Sequence, residues 1–522
     1  MRRMASLTPL AVLLLLPISA RSEDRNRFAD VLALQEAVHQ SIERAEPAIA
    51  CILVSRSDKY RVHSPTDPKS PGRLGRFDLR TARLPVMETD PEYAALGRLD
   101  LSDPNNVPES YGSGIVLDAR EGLILTLAHV VRNATKIYVR LPGGRGSWAD
   151  IHASDPRSDL AILRLIDRVP NLKALGLGDG GKLRKGDFLL SLSNPFAVGV
   201  RDGSPSASWG MVGNLRRRAT GIRSDVPSGE RNARVPLYCF NTLIQTDTRL
   251  NLGCSGGALL NLQGELVGLT SSLAGIAGGE TPGGFGVPLD AGMRRIIATL
   301  LRGEEVEYGF LGVILMEADL VPEGFVRIKR LVRGGPAERA GMRGPAFREF
   351  PPQGRFGEEA GDFILSINGT PVHSNDDLFL VVGMHLAGST VRVEAADKPD
   401  GPRRICSVTL AKFPSLAKDS LLGPLIASKR PLPRAGLYVD WTSTVVKLSK
   451  LIPEGVVIRE VLPGSAAEKA RLQPDTIITK VGSQKVTNPA EFYRALEKAD
   501  GPVELTLATL EGGENRVTLI VK

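Results

Sequence analysis

Short apolar runs separated by turn residues cover 114–117, 123–126, 136–140, 160–165 and 188–191. Runs of that length and spacing predict an all-β barrel or sandwich. Upstream, Leu32, Leu34, Ala37, Val38 and Ile42 fall at helical spacing, so an amphipathic helix is expected over 27–46, with a strand over 48–54. Residues 57–110 are polar, rich in Pro, Arg and Asp, and nearly aperiodic, which reads as a long surface loop. Past residue 305 the pattern becomes α+β and repeats weakly. Gly335-Pro336-Ala337-Glu338-Arg339-Ala340-Gly341-Met342 matches Ser465-Ala466-Ala467-Glu468-Lys469-Ala470-Arg471-Leu472. Phe363-Ile364-Leu365-Ser366-Ile367-Asn368 matches Thr476-Ile477-Ile478-Thr479-Lys480-Val481, and Ser374-Asn375-Asp376-Asp377-Leu378-Phe379 matches Thr487-Asn488-Pro489-Ala490-Glu491-Phe492. Two copies of one module therefore fill the C-terminal part, joined by a Pro-bearing stretch over 413–434.

The chain has 522 residues, room for three or four domains. Its 42% apolar and 24% charged residues are ordinary for globular protein. Aromatics are few, at 5%, so no stacking surface for nucleic acid is expected. The net charge of +8 is spread along the chain apart from Arg216, Arg217 and Arg218, which read as a solvated loop. Arg2 and Arg3, an apolar stretch over 10–16 and Ile18-Ser19-Ala20 predict a signal peptide over 1–20. The apolar stretch is too short to span a bilayer, so an exported, soluble product without stable membrane insertion is expected. The destination is the periplasm or cell envelope, or secretion. Cys51, Cys239, Cys254 and Cys406 are too scattered for a disulfide framework. No Cys-x-x-Cys pair and no His-Glu-x-x-His motif occurs, so neither a metal site nor a cofactor is expected.

Three segments carry candidate chemistry: Leu125-Thr126-Leu127-Ala128-His129-Val130-Val131, Ser158-Asp159-Leu160-Ala161-Ile162-Leu163, and Gly253-Cys254-Ser255-Gly256-Gly257-Ala258-Leu259. A serine hydroxyl becomes a useful nucleophile only when an imidazole takes its proton. A buried carboxylate must hold that imidazole in the right tautomer. The attacked carbonyl needs backbone N–H donors, and glycines let the chain turn so that such donors converge. His129, Asp159 and Ser255 fit these catalytic roles in that chain order, with the N–H groups of Gly253 and Ser255 as oxyanion donors. Each alone has a bland reading as a strand end or glycine turn. Together, on an all-β pattern, they point to nucleophilic hydrolysis.

These segments, with Gly112-Ser113-Gly114-Ile115-Val116, Asn194-Pro195-Phe196, Ile244-Gln245-Thr246-Asp247 and Gly284-Phe285-Gly286-Val287-Pro288, resemble the HtrA/Deg family of serine proteases over about residues 28–522. The resemblance implies a trypsin-like double Greek-key barrel protease domain over 28–304, its two six-stranded barrels perpendicular and the active site between them. It implies α+β PDZ domains over 305–413 and 430–522. It makes the loop at 57–110 the variable regulatory loop and suggests trimer-based homo-oligomers. Tyr308-Gly309-Phe310-Leu311-Gly312-Val313 looks like a PDZ carboxylate-binding loop, so Phe310, Leu311, Gly312 and Val313 are the peptide-binding candidates. Gly436-Leu437-Tyr438-Val439 takes the equivalent place in the second copy, which lacks the usual Gly-Asp and Asn-Gly turns. That copy either binds ligand or merely packs against the rest.

The sequence departs from the family where Cys254 replaces Asn, Ala258 replaces Pro and Ala128 precedes His129. A polar insertion lies near 214–235. Asn tolerates left-handed backbone angles better than Cys, so the Cys254 change is expected to alter the turn and slow the enzyme. Two functions follow. One is an exported, ATP-independent endopeptidase that cleaves unfolded or damaged proteins while its PDZ modules take peptide C-termini. The other is a weakly active or inactive protease-fold scaffold or holdase that binds unfolded polypeptide. The specificity pocket is expected around residues 250–254 and the loop near 271–283.

Overall fold

The computed structural model describes residues 20–56, 100–106, 108, 110–217, 220–221, 235–236, 242–271, 284–350, 355–359, 361–414, 425–429, 433–444, 453–499, 501–508 and 513–521. Outside them lie residues 1–19 of the expected signal peptide, 57–99 of the expected long loop, most of the insertion near 214–235 and the pocket-side loop 272–283.

Six strands close the first barrel in the order Arg145–Asp155, Lys136–Leu141, Ile49–Ser55, Ser110–Asp118, Leu123–Leu127, Leu160–Leu165, with the last pairing back to the first. The second barrel closes as Leu243–Thr246, Gly284–Pro288, Leu266–Ser271, Ala258–Leu260, Phe188–Ser193, Ser206–Arg217. Continuous apolar stretches such as Leu160-Ala161-Ile162-Leu163 and Leu123-Ile124-Leu125 are buried throughout and feed one core cluster. The strand Arg145–Asp155 escapes the apolar-run reading because Gly, Ser, Asp and His interrupt it.

The helix predicted over 27–46 runs from Ala20 to Ala45. No Gly or Pro occurs within it, so local propensity extends it beyond its apolar stripe. It ends where a 3₁₀ turn over Glu46–Ala48 carries Pro47. Its last turns dock on the second barrel, where the Ser41 hydroxyl donates to the Leu262 carbonyl at 2.6 Å and Arg44 to that of Gln263 at 2.7 Å.

After the barrels, the helix Ala291–Leu301, capped by the Asp290 carboxylate at Met293 N–H (2.9 Å), buries Met293, Ile296, Ile297 and Leu300 in the barrel core. The two repeat copies then have matching sheet orders. The first is Val313–Leu315, Val326–Leu331, Phe363–Ile367, Thr390–Ala396, Arg404–Thr409. The second is Leu437–Trp441, Val456–Val461, Ile477–Val481, Gly501–Ala508, Glu514–Val521. Each has its own apolar core and one longer helix, Asn375–Gly383 and Pro489–Glu497, N-capped by Ser374 and Asn488. The connecting stretch does more than link. Its residues Ile426–Ala427 form a strand that pairs with Ser154 and Ala153 of the first barrel.

Candidate active site

His129 sits on the single-turn helix Ala128–Val131 at the end of the strand Leu123–Leu127. Arg56 closes the far end of that turn, donating to the carbonyls of Val130 (2.7 Å) and Arg132 (2.8 Å). The adjoining strand Leu160–Leu165 places Asp159 opposite, and the two segments clamp each other three times. Ala128 N–H donates to the Asp159 carbonyl at 2.8 Å. His129 N–H donates to Asp159 Oδ1 at 2.8 Å, and the imidazole Nδ1 lies 2.7 Å from Oδ2. A carboxylate can only accept, so Nδ1 carries the proton and Nε2 is left as the basic nitrogen. Ala128 contributes through its backbone, so the lack of Asn before the histidine removes nothing from this clamp. Asp159 has φ 58, a conformation non-glycine residues adopt at a cost.

Ser255 lies in the turn between barrel strands, nearly buried. The turn is held from both barrels. Ser113 N–H donates to the Ser255 carbonyl and Ser113 Oγ to that of Gly253, each at 2.8 Å. Ser113 Oγ in turn accepts from Asn194 N–H at 2.8 Å. The Cys254 carbonyl accepts from Gly257 N–H at 3.0 Å and from the Thr270 hydroxyl. The Leu252 carbonyl accepts from Phe196 N–H at 2.7 Å. In a trans peptide N–H and C=O point oppositely. The bonds of the Leu252 carbonyl to Phe196 and of the Cys254 carbonyl to Thr270 therefore turn the N–H groups of Gly253 and Ser255 away from those partners.

Left-handed angles fall on Gly253 (φ 93) and Gly256 (φ 86), and a Cβ on Gly256 would sit 2.2 Å from the Ser113 carbonyl oxygen. Cys254 is not among the positive-φ residues. The turn distortion expected from replacing Asn by Cys is thus absent, because neighbouring glycines carry the unusual angles. The Cys254 thiol is buried, accepts from Asn251 N–H at 3.3 Å, and is pushed above its ordinary pKa by burial.

In the first C-terminal module the strand Val313–Leu315 ends the sheet and runs beside the helix Asn375–Gly383, where Asn375 Nδ2 donates to the Met316 carbonyl at 2.9 Å. Before that strand, Gly312 (φ 82) turns the chain, and the carbonyls of Leu311 and Gly312 accept from Ala337 and Val332 N–H, each at 2.9 Å. Phe310 and Leu311 have buried side chains, so they can meet a ligand only through their backbone or as a pocket floor. The second module reproduces the turn at Gly436 (φ 83), with Ala435 and Gly436 carbonyls accepting from Ala467 and Leu462. Its edge differs: the N–H of Val439 donates to Tyr493 Oη at 3.2 Å, from the helix across the groove. The far end of that strand is anchored to the first module, where Lys412 Nζ lies 3.2 Å from Asp440, 2.9 Å from Glu305 and 3.3 Å from Glu307. Burial opposes the Lys412 charge, but Glu305, Asp440 and Glu307 hold it protonated well above the usual range.

Residues 112–269 match the family of trypsin-like peptidase domains, and residues 457–509 match PDZ domains. A protein of Pseudomonas fluorescens, "Probable periplasmic serine endoprotease DegP-like", is 30% identical over 474 residues, covering 89% of this chain and 91% of that relative. The "Periplasmic pH-dependent serine endoprotease DegQ" of Escherichia coli K12 is 30% identical over 431 residues, covering 80% and 82%. A solved HtrA-type protease, AlgW with tripeptide, is 22% identical and covers 72% of this chain and 97% of its own, at a TM-score of 0.45.

Proposed function

Because the chain belongs to the HtrA/Deg family of serine endoproteases, we propose that His129, Asp159 and Ser255 are its catalytic residues and that unfolded or damaged exported proteins are its substrates. The reading rests above all on one observation, the double hydrogen bond that holds His129 against Asp159 through both its backbone and its ring. His129 Nε2 takes the Ser255 hydroxyl proton as Oγ attacks the scissile carbonyl. Asp159 holds the imidazole and stabilises the cation that forms. The oxyanion hole is formed by the N–H groups of Gly253 and Ser255. Collapse expels the amine, protonated by His129, and water then hydrolyses the acyl-enzyme by the same groups. Peptide hydrolysis runs downhill and uses no ATP.

Peptide C-termini are assigned to the first PDZ module, at the backbone of Phe310, Leu311, Gly312 and Val313, with the adjoining sheet edge taking the peptide as an added strand. The periplasm is the assigned compartment, supported by the names of the relatives and the N-terminal sequence. Self-association, trimer-based as in the family resemblance, is supported by exposed Phe28, Val31 and Leu32 on the N-terminal helix and exposed Phe196 and Val198 near the nucleophile turn. Casein digestion tests the chemistry: Ser255→Ala should lose turnover by on the order of 10⁶. Full turnover in that variant would refute the assignment. A parent without turnover that still suppresses aggregation of unfolded casein would put the scaffold reading first.

A further inference from the structure

Asp155 is fully buried, four residues ahead of Asp159. A buried carboxylate is tolerable only when its lone pairs are met. Arg157 Nε donates to it at 3.0 Å, Ser158 Oγ at 2.7 Å and Ser158 N–H at 3.2 Å. The remaining donor is the hydroxyl of Tyr308, 153 residues further along the chain. Tyr308 is itself fully buried, with the Arg157 guanidinium 4.5 Å over its ring, and Arg157 Nη2 donates to the Val306 carbonyl at 2.8 Å. The bonds from Arg157 and Ser158 are local and describe a turn. The bond from Tyr308 comes from outside the protease barrels. Tyr308 leads into the first PDZ module, where its carbonyl accepts from Phe413 N–H at 2.7 Å and Gly309 N–H donates to His385 at 2.8 Å.

We propose that Tyr308 is a positioning residue for Asp159: its hydroxyl holds the Asp155 carboxylate, and Asp155, through Ser158, holds the turn that presents Asp159 to His129. The inference rests on the catalytic reading of His129, Asp159 and Ser255. Its physical basis is the strained backbone of Asp159, which persists only where the surroundings over-determine it. Without the Tyr308 hydroxyl, Asp155 loses one anchor and the turn at Ser158 loosens. His129 then loses its Nδ1 partner part of the time, which weakens the imidazolium formed during attack. The protease site is thereby completed by the first residues of the binding module.

The variant Tyr308→Phe keeps the ring and its stacking on Arg157 and deletes only the hydroxyl. In the full-length chain it should lower kcat on casein about tenfold while KM stays within about twofold, the pattern of a loss felt in the transition state. Phosphorylation of Ser255 by diisopropyl fluorophosphate, with loss of fluoride, should slow in parallel. The acid limb of the kcat/KM profile should move to lower pH, because a less supported imidazolium is a stronger acid. Ser158→Ala, which removes the other side-chain hydroxyl on Asp155, should give the same signature and carries the test if Tyr308→Phe does not fold. A parent-like kcat with an unmoved acid limb would overturn the inference. So would a lowered thermal midpoint with unchanged kcat per folded molecule, which would leave Tyr308 only a structural part. Ser255→Ala, run beside them, separates the two failures: if it keeps turning over casein, the catalytic reading falls first.

Discussion

A thiol adjoining the proposed nucleophile raises a chemical question that burial answers. Cys254 is enclosed, its sulfur accepts from Asn251 N–H, and burial pushes its pKa up while Ser193 and that N–H pull it partly back. The thiolate, which is the reactive form, is therefore scarce at neutral pH. Cys254→Ala and Cys254→Asn should both retain casein turnover, and the native enzyme should leave this thiol unreacted with Ellman's reagent. Cys51 should stay unreacted as well, since burial pushes it up to about 12. Loss of activity in Cys254→Ala equal to that of Ser255→Ala, in folded protein, would contradict this. The same residue scale shows where sequence reasoning stops. His129, Asp159 and Ser255 are legible because glycines and apolar runs frame them locally. The bond of Tyr308 to Asp155 is not, because two polar residues 153 positions apart leave no periodicity and no spacing to read. Arg56 is missed for the same reason: its carbonyl partners are more than seventy residues off.

At the scale of elements, the two C-terminal modules diverge although their strands and helices correspond. The repeat was readable from apolar positions, which dictate the sheet and its helix in each copy. Groove state was not, because it depends on a single side chain. In the first module the edge strand Val313–Leu315 adjoins a helix that carries exposed Phe379. In the second, Tyr493 already occupies the N–H of Val439 that an added strand would need, and Asp440 is drawn to Lys412 of the first module. Calorimetry of the full chain with an apolar peptide should therefore detect binding at the first module alone. The free carboxylate should bind and the C-terminal amide should not. Gly312→Val should abolish that binding, because a β-branched residue cannot hold φ 82 without strain. Binding that survives Gly312→Val undiminished would place the ligand elsewhere, and binding lost only in a Tyr493→Leu variant would reverse the assignment of the modules.

At the scale of the whole molecule, the stretch between the modules is stitched to the first barrel by the strand Ile426–Ala427 and, beside it, by one histidine. His152 Nε2 lies 3.2 Å from the Leu301 carbonyl and Nδ1 lies 2.9 Å from Ser428 Oγ. A carbonyl only accepts, so Nε2 bears the proton, and in the neutral ring Nδ1 is left to accept from the Ser428 hydroxyl. Backbone bonds flank it, from Ser428 N–H to the His152 carbonyl at 3.1 Å and from Lys429 N–H to Gly303 at 2.8 Å. Burial lowers the His152 pKa, and the charges of Arg164 and Lys429 lower it further, outweighing the Leu301 carbonyl and Glu121, which raise it. The free imidazole titrates near 6.5, so His152 on the barrel strand takes up a proton when the segment is detached that it refuses when the segment is docked. Stability of this seam is then complete above that value and falls as pH drops through the lower, docked pKa. Hydrogen exchange at Ser428 and Lys429, corrected for intrinsic rates, should quicken between about pH 7 and pH 5. His152→Gln can still donate to Leu301 and accept from Ser428 but cannot titrate across this range, so its exchange should stay flat. An equal acid response in parent and variant would assign the loosening to some other group, since the imidazole is the only difference between them.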